Sequence, residues 1–230
     1  MELAVKLIRK DIVTGALPPS SRLGIHSLSD RYAIGTTPLR EALSRLSAMG
    51  LVVAIGQRGF RVADLNRSDL EDLVRTRVVV ESAALTDAMK AGGLDWEGDI
   101  LAALHKMNRF DSGRGSSAFP DFPTEYDELH KRFHAALISA CGSPRLMRLH
   151  DMLYDQTFRY RALVMSKDSV THSLGDEHGE IARLVIAREV GPAIEALRAH
   201  LSTLLQYSDT AMPAAEHEPT PPPARARVSA

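Results

Sequence analysis

The sequence from Gly35 to Gly50, GTTPLREALSRLSAMG, predicts one helix with a defined start and end. Thr36 or Thr37 can cap its N-terminus, and Pro38 is tolerated in the first turn, where a missing N–H costs nothing. Gly50 suits the position that follows a helix end. Apolar side chains recur at helical spacing and predict one buried stripe, formed by Leu39, Ala42, Leu43, Leu46 and Met49.

The outward side of this helix carries groups that suit DNA. Arg40 and Arg45 lie off the apolar stripe, and Thr36 and Thr37 stand at the N-terminal end. Arginine can make two hydrogen bonds to guanine, while hydroxyls and helix N-terminal N–H groups can hold a phosphate. An ordinary amphipathic helix would show the same pattern, so the distinction between a DNA-binding helix and an ordinary one depends on the neighbouring segments.

Those neighbours predict a winged helix-turn-helix. A first helix carries Leu3, Leu7, Ile8 and Ile12 on one face, and a short second helix runs over 27–32 with Ser27 as its cap. Two β-branched runs, 51–55 and 60–62, flank a glycine-containing turn and read as a hairpin with Arg58 at its tip. Such a wing contacts a minor groove or phosphates.

Charge and composition divide the 230 residues unevenly. Residues 1–64 hold nine Lys and Arg against five Asp and Glu, a balance of +4, while residues 65–230 hold nineteen against twenty-four, a balance of −5. This asymmetry suggests that only the first part meets a polyanion. Cys141 is the only cysteine, so an intrachain disulfide and a thiolate zinc site are excluded. Because no signal peptide or membrane-length apolar run is visible, we expect a soluble cytoplasmic protein.

The remainder of the chain predicts a helical bundle, so the fold class is mainly α. Residues 1–64 form the predicted DNA-binding domain, 65–208 the bundle, and 209–230, rich in proline, a disordered tail. The Gly/Ser-rich stretch 111–117 reads as a loop. Six helices are predicted in the bundle, over 68–91, 95–109, 122–141, 144–164, 168–190 and 191–208.

Four histidines fall on helical faces that should look into the bundle. His130 and His134 are spaced i, i+4, and His178 and His200 lie on apolar stripes of two other helices. Imidazoles gathered in a bundle interior suit a divalent transition metal, zinc or nickel above all. Histidines that are simply hydrogen-bonded in a core are the alternative, and spacing alone does not exclude it.

The N-terminal 63 residues resemble the GntR family of bacterial transcription regulators, most specifically in the run Pro38 to Leu43. The family usually has Ser-Arg where this chain has Gly35-Thr36, and His26 stands where some relatives carry a DNA-contacting arginine. The resemblance implies operator binding by a homodimer, since one recognition helix covers only half of a two-fold site. The candidate DNA contacts are therefore His26, Thr36, Thr37, Arg40, Arg45 and Arg58.

Residues 69–208 resemble the FCD ligand-binding domain of the FadR subfamily, in the runs Arg77 to Glu81, Phe133 to Leu137 and Cys141 to Pro144 among others. That subfamily usually binds a metal through one Asp and three His, and His130 holds the position of the Asp. The resemblance thus implies His130, His134, His178 and His200 as ligands, a set with one negative charge fewer than usual. Asp127 lies a turn too early to share the ion with His134.

The same resemblance implies that the metal anchors a small carboxylate effector. Arg77, Arg159 and Arg161 would clamp a second anionic group, although a solvated helix face is the alternative for Arg159 and Arg161. Arg-Tyr-Arg at 159–161 and Ala140 to Ser143 are similar to the CsiR branch, which implies a short dicarboxylate such as glutarate.

These features favour a ligand-responsive transcription regulator, most simply a repressor. The alternative is a metal-dependent, hydrolase-like enzyme in which the histidines activate water and Glu177 or Glu180 acts as the base. Neither a Ser–His–Asp arrangement nor a phosphate-binding loop is present in the sequence to support that alternative.

Overall fold

The computed structural model describes residues 1–112, 124–165 and 174–211. Residues 1–66 form a compact unit of three helices and a three-stranded antiparallel sheet of order β1-β3-β2. Its elements are α1 (Glu2–Val13), β1 (Arg22–Leu23), α2 (Ile25–Tyr32), α3 (Thr36–Ala48), β2 (Val52–Ala54) and β3 (Phe60–Val62). The predicted winged helix-turn-helix is therefore confirmed, with β1 as an additional short strand that pairs with β3.

Helix α3 buries the predicted stripe. Leu39, Leu43 and Leu46 are completely buried, and Leu51, which follows the helix, joins them in the same core. Gly50 adopts a φ of 72°, the left-handed conformation that suits a glycine just past a helix end. Burial of this stripe against α1 and α2 leaves the opposite side of α3 exposed to solvent.

Three local predictions were wrong. The N-cap of α3 is Gly35, and neither Thr36 nor Thr37 caps it, because both residues already lie inside the first helical turn. Helix α2 begins at Ile25 after Gly24, so Ser27 is not its cap. In α1 the buried face follows Ala4, Val5, Ile8 and Ile12, whereas Leu3 is 61% exposed.

The second part of the described chain is helical, as predicted. Asn66 caps the first of its helices by accepting a 2.8 Å hydrogen bond from the backbone N–H of Asp69. The described helices are α4 (Arg67–Ala91), α5 (Leu94–Ser112), α6 (Thr124–Ile138), α7 (Pro144–Met165), α8 (Leu174–Ile186) and α9 (Val190–Ala211). Helix α4 packs against α6, α7 and α9, and a large apolar core fills the space between these helices and α5 and α8.

Several helix boundaries in the structure differ from the predicted ones. The helix predicted over 168–190 ends at Ile186, where Arg188 adopts a left-handed φ of 59° before α9 begins. Residues 111 and 112 belong to α5 rather than to the predicted loop. The remainder of that loop and the predicted tail after residue 211 lie outside the described residues. Among the described residues, no helix is both long and apolar enough to cross a membrane.

Candidate metal centre and nucleic-acid surface

The bundle brings the four predicted histidines together. His130 and His134 project from α6, His178 from α8 and His200 from α9, and all four are at least nine-tenths buried. One potential ligand atom from each ring lies within 4.8 Å of those from the other three. Helices distant in sequence thus converge on a set of four neighbouring nitrogen donors.

The nitrogen spacing fits a metal ion. Nε2 of His134 lies 3.2 Å from Nε2 of His200. Two imidazole ligands of a tetrahedral zinc ion, each with a Zn–N distance of about 2.0–2.1 Å, would lie roughly 3.3 Å apart. Without a cation, two facing ring nitrogens at this separation need a proton between them. The donor set therefore suits a borderline metal such as zinc or nickel.

Acidic or hydroxyl groups stand behind three of the rings. Nδ1 of His200 is 2.8 Å from a carboxylate oxygen of Glu177, and Nδ1 of His130 is 2.6 Å from the hydroxyl of Tyr154. Nδ1 of His134 lies 3.6 Å from a carboxylate oxygen of Glu81, which is longer than a hydrogen bond but within the distance of an ion pair. Metal-ligating histidines commonly have such partners, because an acceptor at one nitrogen leaves the other with a free lone pair.

Glu81 is itself held in a buried polar network. Nε of Arg77 donates to it at 2.8 Å, and Nδ1 of His150 lies 3.2 Å from the same oxygen. Burial opposes ionisation of Glu81, but Arg77, His134 and His150 together hold its pKa well below the usual range. The sequence interpretation passed over His150, since no partner histidine at helical spacing singled it out.

The imidazoles of α6 are held neutral. Burial lowers the pKa of His134 to about 3. Burial, together with Arg161 and the neighbouring histidines, puts the pKa of His130 well below its usual range. Near neutral pH both rings are therefore already neutral, and a metal can bind them without first competing with the proton of an imidazolium. Protons should therefore compete with a metal for these two rings only well below pH 6.5, where ordinary histidines titrate.

These pKa shifts predict an acid-sensitive fold once any metal has been removed. In the unfolded chain both imidazoles take up protons near pH 6.5, whereas in the folded chain they stay neutral to much lower pH. The unfolded state then binds more protons, so stability is full above about pH 6.5 and is lost as the pH falls toward 3. Each proton contributes a slope of at most about 1.4 kcal/mol per pH unit.

Chemical unfolding of chelator-treated protein between pH 7 and 5 measures this slope. Glu81, whose pKa is lowered, loses its contribution only below its unfolded value near 4.5 and does not interfere in this window. His134→Gln should flatten the pH dependence because glutamine does not titrate. Equal slopes for the wild type and His134→Gln would contradict the assignment.

The three arginines predicted to bind an effector do not gather at one place. Arg77 is buried in its ion pair with Glu81, and Arg161 is buried against Asp127 and Tyr154, with Nη2 2.7 Å from the tyrosine hydroxyl. Nη1 of Arg159 instead donates to the backbone oxygen of Ala63 at 3.0 Å, at the junction with the N-terminal unit. Arg77 and Arg161 thus border the histidine cluster, while the described contacts of Arg159 lie at that junction.

The proposed catalytic bases are placed differently from each other. Glu177 contacts His200, whereas Glu180 is exposed and forms an ion pair with Arg183, with a 2.8 Å contact. Only Glu177 of the two thus touches the histidine cluster.

All six candidate DNA contacts are exposed on the N-terminal unit. Thr36, Thr37 and Arg40 line the N-terminal half of α3, and Arg58 lies in the turn between β2 and β3. Arg45 forms an exposed ion pair with Glu2, a contact of small energetic value that DNA phosphates can replace. His26 lies in the first turn of α2. This exposed side of α3 and the wing form a candidate nucleic-acid surface.

Comparison with known proteins assigns both parts of the chain. Residues 2–62 match the gntR family of bacterial regulatory proteins, and residues 72–203 match the FCD domain. The transcriptional repressor GlaR of Escherichia coli K12 is 33% identical over 209 residues, which cover 89% of this chain and 94% of GlaR. The transcriptional regulator BphR of Paraburkholderia xenovorans is 33% identical over 203 residues, which cover 88% and 82%.

Solved structures share the fold. Escherichia coli McbR, 17% identical, superposes with a TM-score of 0.70 over 90% of this chain and 94% of its own. A GntR-type regulator from Rhodococcus sp. RHA1, 20% identical, gives a TM-score of 0.72 over 90% and 97%. The matched families and relatives are transcription regulators rather than enzymes, so the hydrolase alternative is not supported.

Proposed function

Because the chain belongs to the GntR family of transcription regulators and carries an FCD domain, we propose that it is an operator-binding repressor controlled by a metal-anchored carboxylate effector. The observation that carries this proposal is the convergence of four buried histidines inside the helical part. Residues 1–64 bind DNA, residues 65–208 bind the effector and dimerise, and the protein works in the cytoplasm. Repression is supported by the name of the relative GlaR.

His130, His134, His178 and His200 hold the metal in this proposal. When bound, a zinc or nickel ion supplies a Lewis acid that attracts a carboxylate oxygen. The proposed effector is a small dicarboxylate. The contacts of Arg77 and Arg161 support a role in holding Glu81 and Asp127 beside the cluster, and a direct effector contact by these arginines or by Arg159 stays a prediction.

Helix α7 offers a route from the metal site to the DNA-binding unit. Its Tyr154 contacts His130, while the next residue, Asp155, accepts hydrogen bonds from Arg9 of α1 at 2.9 and 2.5 Å. Asp155 also accepts a 2.8 Å hydrogen bond from Nζ of Lys131, the residue that follows His130 on α6. Gln156 adds a 2.8 Å hydrogen bond to the backbone oxygen of Met49, just after α3. A displacement of α6 or α7 by the effector would therefore be transmitted to α1 and α3.

Asp155→Asn should uncouple the two functions. The substitution removes the negative charge with which both Arg9 and Lys131 form ion pairs, but it leaves the four histidines in place. We expect normal metal content and effector affinity, together with loss of most of the effector-induced change in operator affinity. Fluorescence anisotropy with labelled operator, with and without effector, measures that change.

Asp72→Asn is the matched control, because it breaks an exposed ion pair with Arg75 on α4. A full effector response in Asp155→Asn would reject this route, while a lost response in both variants would show that the effect is not specific to Asp155.

Selection of genomic fragments by the purified protein tests the function itself. Sequencing of the captured DNA should yield a two-fold symmetric operator, since a dimer presents two copies of α3. Titration of this operator against a panel of C3 to C6 dicarboxylates should identify a member that releases the DNA. Captured DNA without any common sequence would contradict operator binding.

A further inference from the structure

Three polar groups form a row that leads away from the histidine cluster at His130. Nδ1 of His130 lies 2.6 Å from the hydroxyl of Tyr154, and this hydroxyl lies 2.9 Å from Oδ1 of Asp127. All three side chains are buried, and they come from α6 and α7. Hydrogen-bond partners this far from solvent have to be satisfied by one another.

Arg161 fixes where the protons of this row lie. A guanidinium can only donate, and Arg161 donates through Nη2 to Oδ1 of Asp127 and, at 2.7 Å, to the hydroxyl of Tyr154. Oδ1 is therefore an acceptor, so Tyr154 donates its only proton to Asp127. The hydroxyl oxygen can then only accept from His130, which places a proton on Nδ1.

One contact opposes this assignment. Nη1 of Arg161 lies 3.1 Å from the same Nδ1 and would be a hydrogen bond only if Nδ1 carried no proton. In that case the hydroxyl of Tyr154 would donate to Nδ1, and its 2.9 Å contact with Oδ1 of Asp127 would lose its own hydrogen bond and depend only on the shared Nη2 donor of Arg161. The 2.6 Å contact between His130 and Tyr154 needs one proton, and because the hydroxyl proton of Tyr154 is used in the bond to Asp127, we infer that this proton is on Nδ1.

We propose that Tyr154 and Asp127 are positioning residues that hold His130 with its Nε2 lone pair turned into the cluster. Arg161 keeps Asp127 in place, and Tyr154 links the carboxylate to the imidazole. Asp127 shares its charge with Arg161, so the row positions His130 through hydrogen bonds rather than by adding net charge to the cluster. The proposal rests on the proposed metal site and names the residues that make His130 a competent ligand.

Zinc affinity of the full chain tests the row. In competition with a fluorescent chelator, Tyr154→Phe and Asp127→Asn should each weaken zinc binding by about 10- to 100-fold, as is typical for partners behind a ligand. Tyr160→Phe is the matched control. Tyr160 is also a completely buried tyrosine of α7, but its hydroxyl contacts Asp69, away from the cluster, so zinc affinity should stay within about twofold of wild type.

A double variant separates a linked row from general loosening of the fold. If Tyr154 transmits the effect of Asp127, Tyr154→Phe combined with Asp127→Asn should bind zinc no more weakly than the worse single variant. Multiplying losses would show that the two residues act independently and would overturn the proposal. Unchanged zinc affinity in Tyr154→Phe would overturn it as well, while leaving the metal site itself in place.

The tautomer of His130 can be read directly in metal-free protein. Nitrogen NMR of the histidine-labelled chain, assigned with His130→Gln, should show the proton of His130 on Nδ1, and in Tyr154→Phe the preference should be reduced or lost. A proton on Nε2 in the wild type would refute the row. Because this measurement needs no metal, it decides the proposal even if zinc binding fails, which would instead count against the proposed function.

Discussion

His134→Ala is expected to lose the bound metal. The wild type should carry about one divalent transition ion per chain, since the ligand atoms of the four imidazoles lie close enough to share a single ion. Nε2 of His134 lies 3.2 Å from Nε2 of His200, and removal of either ring leaves the ion with three protein donors in a buried place. We expect less than about one tenth of the wild-type content after dialysis, because even partners behind a ligand are worth about 10- to 100-fold in affinity.

Elemental analysis measures the content, and thermal unfolding gives an independent readout. A metal bound only by the folded chain stabilises it by about 2.7 kcal/mol when its free concentration is 100 times Kd. The wild type should therefore melt at a lower temperature after chelation, whereas His134→Ala should show little response. His105→Ala is the matched control, since His105 is an exposed histidine of α5. Full metal content in His134→Ala would refute the site.

Arg40→Ala is expected to abolish specific operator recognition without unfolding the chain. Arg40 is exposed on α3, whose opposite side carries the buried leucines, so its removal leaves the core unchanged. Loss of a two-bond contact to a base costs about 1–3 kcal/mol, or roughly 5- to 150-fold in affinity. Titration of operator and of random DNA should show that operator affinity falls toward that for random DNA. Arg75→Ala, an exposed arginine of α4, should bind both as the wild type does.

Arg58→Ala distinguishes a base contact from a phosphate contact. Arg58 lies in the wing turn, so its loss should weaken binding to all sequences and lower the slope of log affinity against log salt by about one.

Operator affinity that is unchanged in Arg40→Ala would contradict the assignment of α3 as the recognition helix.

The sequence predicted the fold because its signals were local. The stripe of α3 and the hairpin after it each lie within a dozen residues, and the structure confirms both. The four histidines were predicted partly by spacing and partly by resemblance, since His178 and His200 have no fixed spacing from His134. The structure shows in addition that one ligand atom of each of the four rings lies within 4.8 Å of those of the others.

The partners of the histidines could not be predicted in the same way. Tyr154 lies 24 residues from His130, and Glu81 lies on a different helix from His134, so no periodicity links them. Likewise, Arg159 and Arg161 are two residues apart, yet helical geometry sends them to different surroundings, one at Ala63 and one at Asp127. The cap predictions failed because Gly24 and Gly35 occupy the cap positions that Ser and Thr usually favour.

A metal held by the histidine cluster should allow a carboxylate effector to control operator binding. Operator titration of metal-loaded and metal-free protein, each with and without the active dicarboxylate, tests it most directly. We predict that both forms bind the operator and that the dicarboxylate releases only the metal-loaded form. An equal response of the two forms to the dicarboxylate would contradict the claim.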